Sequence, residues 1–107
     1  MNTVKYTFIK SDRKLIKLFF DEILVIKGLG NYVEIFTKRK KYIYYKSLKE
    51  LIDGLPDEFM RVHNSFIINL TNVDYLEDHH IMIGEHEISV AKSYRECLSR
   101  RMERLLL

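Results

Sequence analysis

Short segments rich in β-branched and aromatic residues follow one another along most of this chain, separated by brief turn-forming segments. Such side chains pack well on pleated strands, and regularly spaced strands with short connections are typical of antiparallel sheets. Only one helical segment lies in mid-chain, which excludes an alternating βαβ array. We therefore predict a mainly β fold of antiparallel sheets, with helices covering edges or ends. The predicted strands are residues 7–10, 14–19, 23–26, 32–37, 41–45, 59–62, 66–70, 73–76, 80–83 and 87–90.

Two segments carry the signature of a helix start. Ser47 and Glu50 fit a capping box, in which each side chain accepts a hydrogen bond from the other residue's backbone. The short helix that follows is predicted near residues 48–54, with Leu48, Leu51, Ile52 and Leu55 as its apolar face. A second box, Ser93 with Glu96, predicts a C-terminal helix from about residue 93. Its predicted apolar stripe contains Tyr94, Cys97, Leu98, Met102 and Leu105, which makes Cys97 a buried hydrophobe rather than a reactive thiol.

The segment 28–31, GLGN, is predicted to break the chain after the third strand. Its two glycines and Asn31 supply the positive-φ positions of a tight connection.

A second interruption lies between Val62 and Phe66, where three consecutive polar residues cannot continue one ideal strand. A turn or bulge is predicted there, with Val62 and Phe66 buried and with His63 and Asn64 projecting. The alternative is that His63 folds inward and satisfies a buried backbone group.

Composition narrows the class of protein. The 107 residues suit one domain, and 47% hydrophobic with 31% charged residues is typical of globular proteins rather than disordered chains or coiled coils. No apolar run is long enough to span a bilayer and no signal region opens the chain, so a soluble, cytoplasmic protein with no membrane partner is expected. One cysteine excludes an internal disulfide and a multi-cysteine zinc site.

The charge distribution is more informative than the net charge of +3. Residues 37–49 carry six lysines and arginines and no acid, whereas residues 74–87 carry five acids and no lysine or arginine. One end of the fold is therefore expected to be basic and another acidic, which would orient a polyanion. Ordinary solvated strand faces are the alternative.

The chain lacks the constellations that enzymes need. The glycine-rich segment has no third glycine and no following helix, and the segment His63-Asn64-Ser65 is only weak evidence for a nucleophile–base pair. The three histidines at 79, 80 and 86 are poor metal ligands across a turn. We expect no catalytic activity, no metal and no cofactor.

Polar residues at strand ends form the candidate binding set. Asparagine can pair with adenine, and lysine and arginine suit guanine or phosphate. Asparagines in such places are also common turn residues. The candidate residues are Asn31, Tyr32, Arg61, His63, Asn64, Lys92 and Arg95.

At these residues the chain resembles the LytTR DNA-binding domain of bacterial response regulators. Four ordered segments carry the likeness, which covers about residues 7–104: DEILVIKGLGNYV at 21–33, SLKEL at 47–51, FMRVHNSFIINL at 59–70 and ISVAKSY at 88–94. Asn64 and Lys92 stand where many members have arginine, and Ser89 replaces a frequent proline.

The resemblance implies an elongated β fold that places loops against double-stranded DNA, with contacts by Asn31, Tyr32, His63, Asn64 and Lys92. It also implies sequence-specific binding in bacterial transcription, two copies on paired promoter repeats, and either a stand-alone regulator or the output part of a longer chain with a receiver domain. The alternative is a non-catalytic β module that binds protein through exposed strand edges, with the segment 105–107 and Tyr42, Tyr44 and Tyr45 as its contacts.

Overall fold

The computed structural model describes residues 4–107, and these residues confirm a mainly β fold with two helices. All ten predicted strands are present with small changes at their ends, and the largest change is in the third strand, which runs on to Leu29. The elements are β1 (Tyr6–Ser11), β2 (Lys14–Phe19), β3 (Ile23–Leu29), β4 (Tyr32–Thr37), β5 (Lys41–Tyr44), α1 (Leu48–Ile52), β6 (Phe59–His63), β7 (Phe66–Asn69), β8 (Tyr75–Glu77), β9 (His80–Ile83), β10 (His86–Ser89) and α2 (Lys92–Leu105).

A five-stranded antiparallel sheet in the order β5-β4-β3-β7-β6 forms the middle layer. The β1–β2 hairpin and α1 pack on one face of this sheet, and the three-stranded sheet β10-β9-β8 packs with α2 on the other. The molecule measures 41 × 35 × 25 Å. Within residues 4–107, neither helix is long and apolar enough to cross a membrane.

The middle sheet is apolar on both faces, and each face has its own core. Ile23 and Ile26 of β3 pack into the core beneath the β1–β2 hairpin, whereas Val25 packs into the core beneath the three-stranded sheet. A register shift between Ile23 and Val25 resets the alternation of the strand. The bulge and the double burial together explain why the sequence shows a continuous apolar run here instead of a period of two.

The predicted capping box of α1 is confirmed. The Ser47 hydroxyl accepts a hydrogen bond from the Glu50 N–H at 3.2 Å, and the Glu50 carboxylate accepts one from the Ser47 N–H at 3.0 Å. Hydrogen bonds with the Ser47 N–H and, to a smaller extent, with the Ser47 side chain hold the pKa of the Glu50 carboxyl below its usual range. Leu48 is the buried residue of the helix and packs over Gly28 of β3.

The prediction that Gly28 breaks the chain is wrong. Gly28 lies inside β3, and only Gly30 of the segment 28–31 has a positive φ, of 68°. A Cβ added at Gly28 would lie 2.9 Å from Leu48 Cδ1. Gly28 is therefore a place where helix and strand come close, rather than a turn residue.

A C-terminal helix from about residue 93 is confirmed, but its predicted capping box and the predicted burial of Cys97 are wrong. The helix begins at Lys92 with Ala91 as its N-cap, so Ser93 lies inside the first turn and makes no cap. Leu98 is buried and Cys97 is exposed, because the face that packs on the sheet is centred on Leu98. Leu105, at the end of the predicted stripe, is exposed as well.

Asn69 is the buried polar side chain of the described residues and joins the start of β3 to the end of β7. Its Nδ2 donates to the carbonyls of Phe20 and Ile23 at 3.0 Å, and its Oδ1 accepts from the Thr71 N–H at 3.0 Å. The side chain thus links the 3-10 turn Phe20–Glu22, before β3, to the 3-10 turn Leu70–Asn72, after β7.

Candidate nucleic-acid interface

Three chain segments meet at one end of the middle sheet. β3 and β7 are antiparallel neighbours with Lys27 opposite Phe66, so the β3–β4 turn and the β6–β7 turn lie side by side. The Gly28 N–H donates to the Ser65 carbonyl at 2.8 Å and joins β3, two residues before its turn begins, to the β6–β7 turn. The Ala91 N–H donates to the Val62 carbonyl at 2.9 Å and brings the start of α2 to the same place.

The β3–β4 turn consists of Gly30 and Asn31, and it presents an exposed asparagine. Gly30 takes the left-handed conformation that the turn needs. Tyr32, the first residue of β4, is half-buried, and its ring centroid lies 5.6 Å from that of Tyr45. The aromatic pair fixes the direction of Tyr32 at the edge of the candidate surface.

The β6–β7 turn contains the irregularity that the sequence predicts. The register shifts between Arg61 and His63, and a two-residue turn of Asn64 and Ser65 follows. Val62 is fully buried, as predicted, whereas Phe66 is only half-buried.

His63 neither projects fully nor folds fully inward. The side chain is half-buried, and its Nδ1 accepts a hydrogen bond from the Ser65 N–H at 3.0 Å, so the ring stabilises the turn. The edge of the ring packs on Phe66 at 5.5 Å between centroids. With Nδ1 as acceptor, the proton of the neutral ring is on Nε2, which leaves an N–H donor for a ligand.

Arg61 and Tyr94 hold Asn64 from two sides. The Arg61 Nη2 donates to the Asn64 carbonyl at 2.7 Å, and its Nε donates to the His63 carbonyl at 3.4 Å. The Tyr94 hydroxyl donates to Asn64 Oδ1 at 3.3 Å. The sequence pattern assigned Tyr94 only to an apolar stripe, because periodicity cannot show where a phenol's hydroxyl points.

Lys92 and Arg95 differ in their surroundings although both are exposed. Lys92 is the first residue of α2, next to the segment bound to Val62. Arg95 donates through Nε to the Val90 carbonyl at 3.1 Å and borders a cleft that also contains Leu76. The structure thus brings Lys92 to the turns, whereas the Arg95 guanidinium supports the junction between β10 and α2.

The sequence predicts that the basic residues of segment 37–49 form one basic end of the fold, and this prediction is wrong. The β4–β5 turn lies at the opposite end of the sheet from Asn31, since Thr37 pairs with Ile23 at the start of β3. Arg39 binds Glu22 there at 3.0 Å, and Lys38 borders a cleft with Asp74. Basic and acidic residues are therefore neighbours at that end.

The tyrosine cluster suggested for protein binding is mostly unavailable. Tyr42 and Tyr44 pack against the core beneath the β1–β2 hairpin, and only Tyr45 is exposed.

The exposed amides of the two turns and the Lys92 ammonium at the start of α2 suit contact with phosphates and base edges, so this β-rich domain has features of a nucleic-acid-binding module. Comparison with protein families gives the same class. The model of the LytTr DNA-binding domain matches residues 13–103, and the chain belongs to this LytTR family of DNA-binding domains.

Comparison with solved structures shows the same fold. The chain is similar to the LytTr DNA-binding domain assigned to a methyl-accepting/DNA response regulator from Bacillus cereus, with a TM-score of 0.80 and 19% identity. The match covers 94% of this chain and 98% of the other. A search of curated proteins gives no significant match.

Proposed function

We propose that this DNA-binding domain is sequence-specific for double-stranded DNA and acts in bacterial transcription. The observation that carries the proposal is the pair of backbone hydrogen bonds, Gly28 to Ser65 and Ala91 to Val62, that holds three polar segments at one end of the sheets. A fixed spacing between side chains on separate segments is what reading of base edges requires.

The side chains divide into contacts and supports in this proposal. Asn31, Tyr32, His63, Asn64 and Lys92 contact bases and phosphates, because they lie on the three joined segments. The guanidinium groups of Arg61 and Arg95 are engaged with backbone carbonyls, so both are positioning residues. Lys92 contributes a compact point charge rather than the planar fork with which arginine grips guanine.

The wider setting is part of the same proposal. We infer that the domain is the output part of a cytoplasmic two-component response regulator, with a receiver domain elsewhere in the full-length protein. Two copies would bind promoter direct repeats, with most of the affinity coming from phosphate contacts.

Selection of bound sequences from a random duplex pool tests specificity. We expect a defined motif to be enriched, and Asn64→Ala to lose about 1–3 kcal/mol of binding to it while relaxing preference at one base position. An equal loss on selected and random DNA would show that Asn64 contacts only the backbone. We expect Lys92→Arg to tighten binding to a guanine-containing site.

The salt dependence of binding separates this function from a strand-pairing protein module. A DNA-binding surface loses affinity with a slope of about 0.9 per phosphate neutralised, whereas strand pairing with a protein shows no such slope. Lys38→Ala is the matched control for Lys92→Ala, because both remove one exposed lysine and Lys38 lies at the opposite end. An equal effect of the two variants would contradict the proposed surface.

A further inference from the structure

The β1–β2 turn lies at the same end of the molecule as the three joined segments. The start of β1 is at the far end, where the Lys5 carbonyl accepts from the Phe20 N–H at 2.9 Å. The end of β1 is fixed to β5, where the Ser11 hydroxyl donates to the Ile43 carbonyl at 2.6 Å. Since β5 runs towards the candidate end, with Tyr44 opposite Val33, the turn after Ser11 lies at that end too.

The surface between this turn and the candidate interface is continuous. Arg13 of the turn lines an open cleft of about 710 Å³ together with Tyr44 and Tyr45. Tyr45 is strongly exposed, and its ring packs on Tyr32 of the candidate set. A row therefore runs from Asn31 through the two tyrosines to Arg13.

The charge of the turn suits a polyanion. Lys10, Arg13 and Lys14 are exposed, and none of them takes part in an ion pair within residues 4–107. Asp12 is the single acid of the turn, so the tip keeps a net charge of +2. The family match begins at residue 13, so β1 and Asp12 lie outside the part of the chain that the match covers.

We propose that the β1–β2 turn is a fourth DNA contact, in which Arg13 binds a backbone phosphate beside the site that the other three segments read. This inference rests on the proposed function. The hairpin packs next to β5 on the face of the middle sheet opposite the three-stranded sheet and α2. Arg13 and Lys92 therefore lie on opposite sides of the middle sheet, so the contact by Arg13 falls on backbone that flanks the site.

The conformation of the turn supplies a clean variant. Asp12 and Arg13 have φ values of 52° and 62°, the pattern of a two-residue hairpin turn in which Asp-Gly is strongly favoured. Arg13→Gly therefore removes the charge without straining the hairpin. Arg39→Ala is the control, because it removes one arginine from the exposed β4–β5 turn at the opposite end.

The test measures the affinity of each variant for selected and random duplexes between about 50 and 300 mM salt, a range over which phosphate contacts change affinity steeply. We expect Arg13→Gly to lower the salt slope by about 0.9, equally on both duplexes, and Arg39→Ala to leave it unchanged. Lys14→Ala should also lower the salt slope of DNA binding.

Shortening the duplex on the flanking side gives a second readout that needs no variant. On the short duplex the affinity of the wild type should fall to that of the Arg13→Gly variant. One outcome is a steep salt slope of the wild type that neither Arg13→Gly nor Lys14→Ala changes. That result would overturn the fourth contact and leave the proposed function intact. A wild type without salt-dependent DNA binding would overturn both.

Discussion

At the scale of single residues, His63 couples the stability of a turn to the presentation of Asn64. We expect His63→Ala to lower the free energy of unfolding by about 1 kcal/mol, because the Ser65 N–H loses its acceptor. DNA affinity should fall as well. A thermal melt and a binding isotherm at the same salt measure the two effects on one sample.

His63→Asn separates these effects. An asparagine oxygen accepts readily from the N–H two residues on, which is the hydrogen bond that the ring makes to Ser65. The variant should melt like the wild type. If its DNA affinity is also that of the wild type, the ring only positions the turn and His63 is no DNA contact.

Asn69 is the residue whose loss should destabilise the fold most among the polar side chains. We expect Asn69→Leu to cost about 3 kcal/mol, since it removes three hydrogen bonds at a buried site, each worth about 1 kcal/mol. Asn72→Ala is the control, because Asn72 is only half-buried and bonds to Asp21 and Ile23 carbonyls near the surface. Chemical denaturation measures both, and equal losses would contradict the role given to Asn69.

At the scale of elements, the α1 capping box predicts a pH dependence. The Ser47 N–H favours the charged form of Glu50, so the pKa of Glu50 is lower in the folded state than in the unfolded state. The stabilisation by the ionised Glu50 carboxylate is therefore complete above its pKa in the unfolded state, about 4.3. It is lost as the pH falls through the lowered pKa of the folded state.

Comparison with Glu50→Gln isolates this contribution from the other carboxylates. The wild type should be more stable than Glu50→Gln at pH 7, and the difference should shrink as the pH falls below about 4. Denaturant midpoints of both proteins between pH 3 and 7 measure the difference. A gap that stays constant with pH would show that the carboxylate does not act through its charge.

The contact of α1 with β3 depends on the missing side chain of Gly28. We expect Gly28→Ala to cost about 1–3 kcal/mol, because its Cβ would overlap Leu48 in a packed core. Leu48→Ala should cost less in the Gly28→Ala background than in the wild type, as overlap is relieved. Strictly additive losses in this double-mutant cycle would contradict the close contact.

The two capping boxes show where local sequence is sufficient and where it is not. Ser47 caps α1 because the signal is complete within four residues. The same signal at Ser93 fails because the Ala91 N–H is bound to the Val62 carbonyl, far away in sequence, and the helix follows directly from there. A tertiary hydrogen bond thus fixes the chain just before the helix, which no pattern within four residues can indicate.

At the scale of the whole molecule, the sequence predicts the turns but not which of them meet. The strand order β5-β4-β3-β7-β6 places the turn at Asn31 beside the turn at Asn64, and only long-range pairing of β3 with β7 achieves this. The resemblance of four segments to a known family indicates the candidate residues, but it does not indicate the hydrogen bonds that hold them in place. The roles of Arg61 and Tyr94 depend on hydrogen bonds that no local pattern encodes.

The most direct test of the account is a titration of the labelled protein with the selected duplex, followed by backbone amide NMR. We predict that the shifts change most at the three joined segments, namely residues 30–32, 63–65 and 91–93, with smaller changes at 12–14. Residues 38–40 and 84–85, at the opposite end, should hardly change. Changes centred on the basic β4–β5 turn would contradict the claim that the joined turns form the DNA-binding surface.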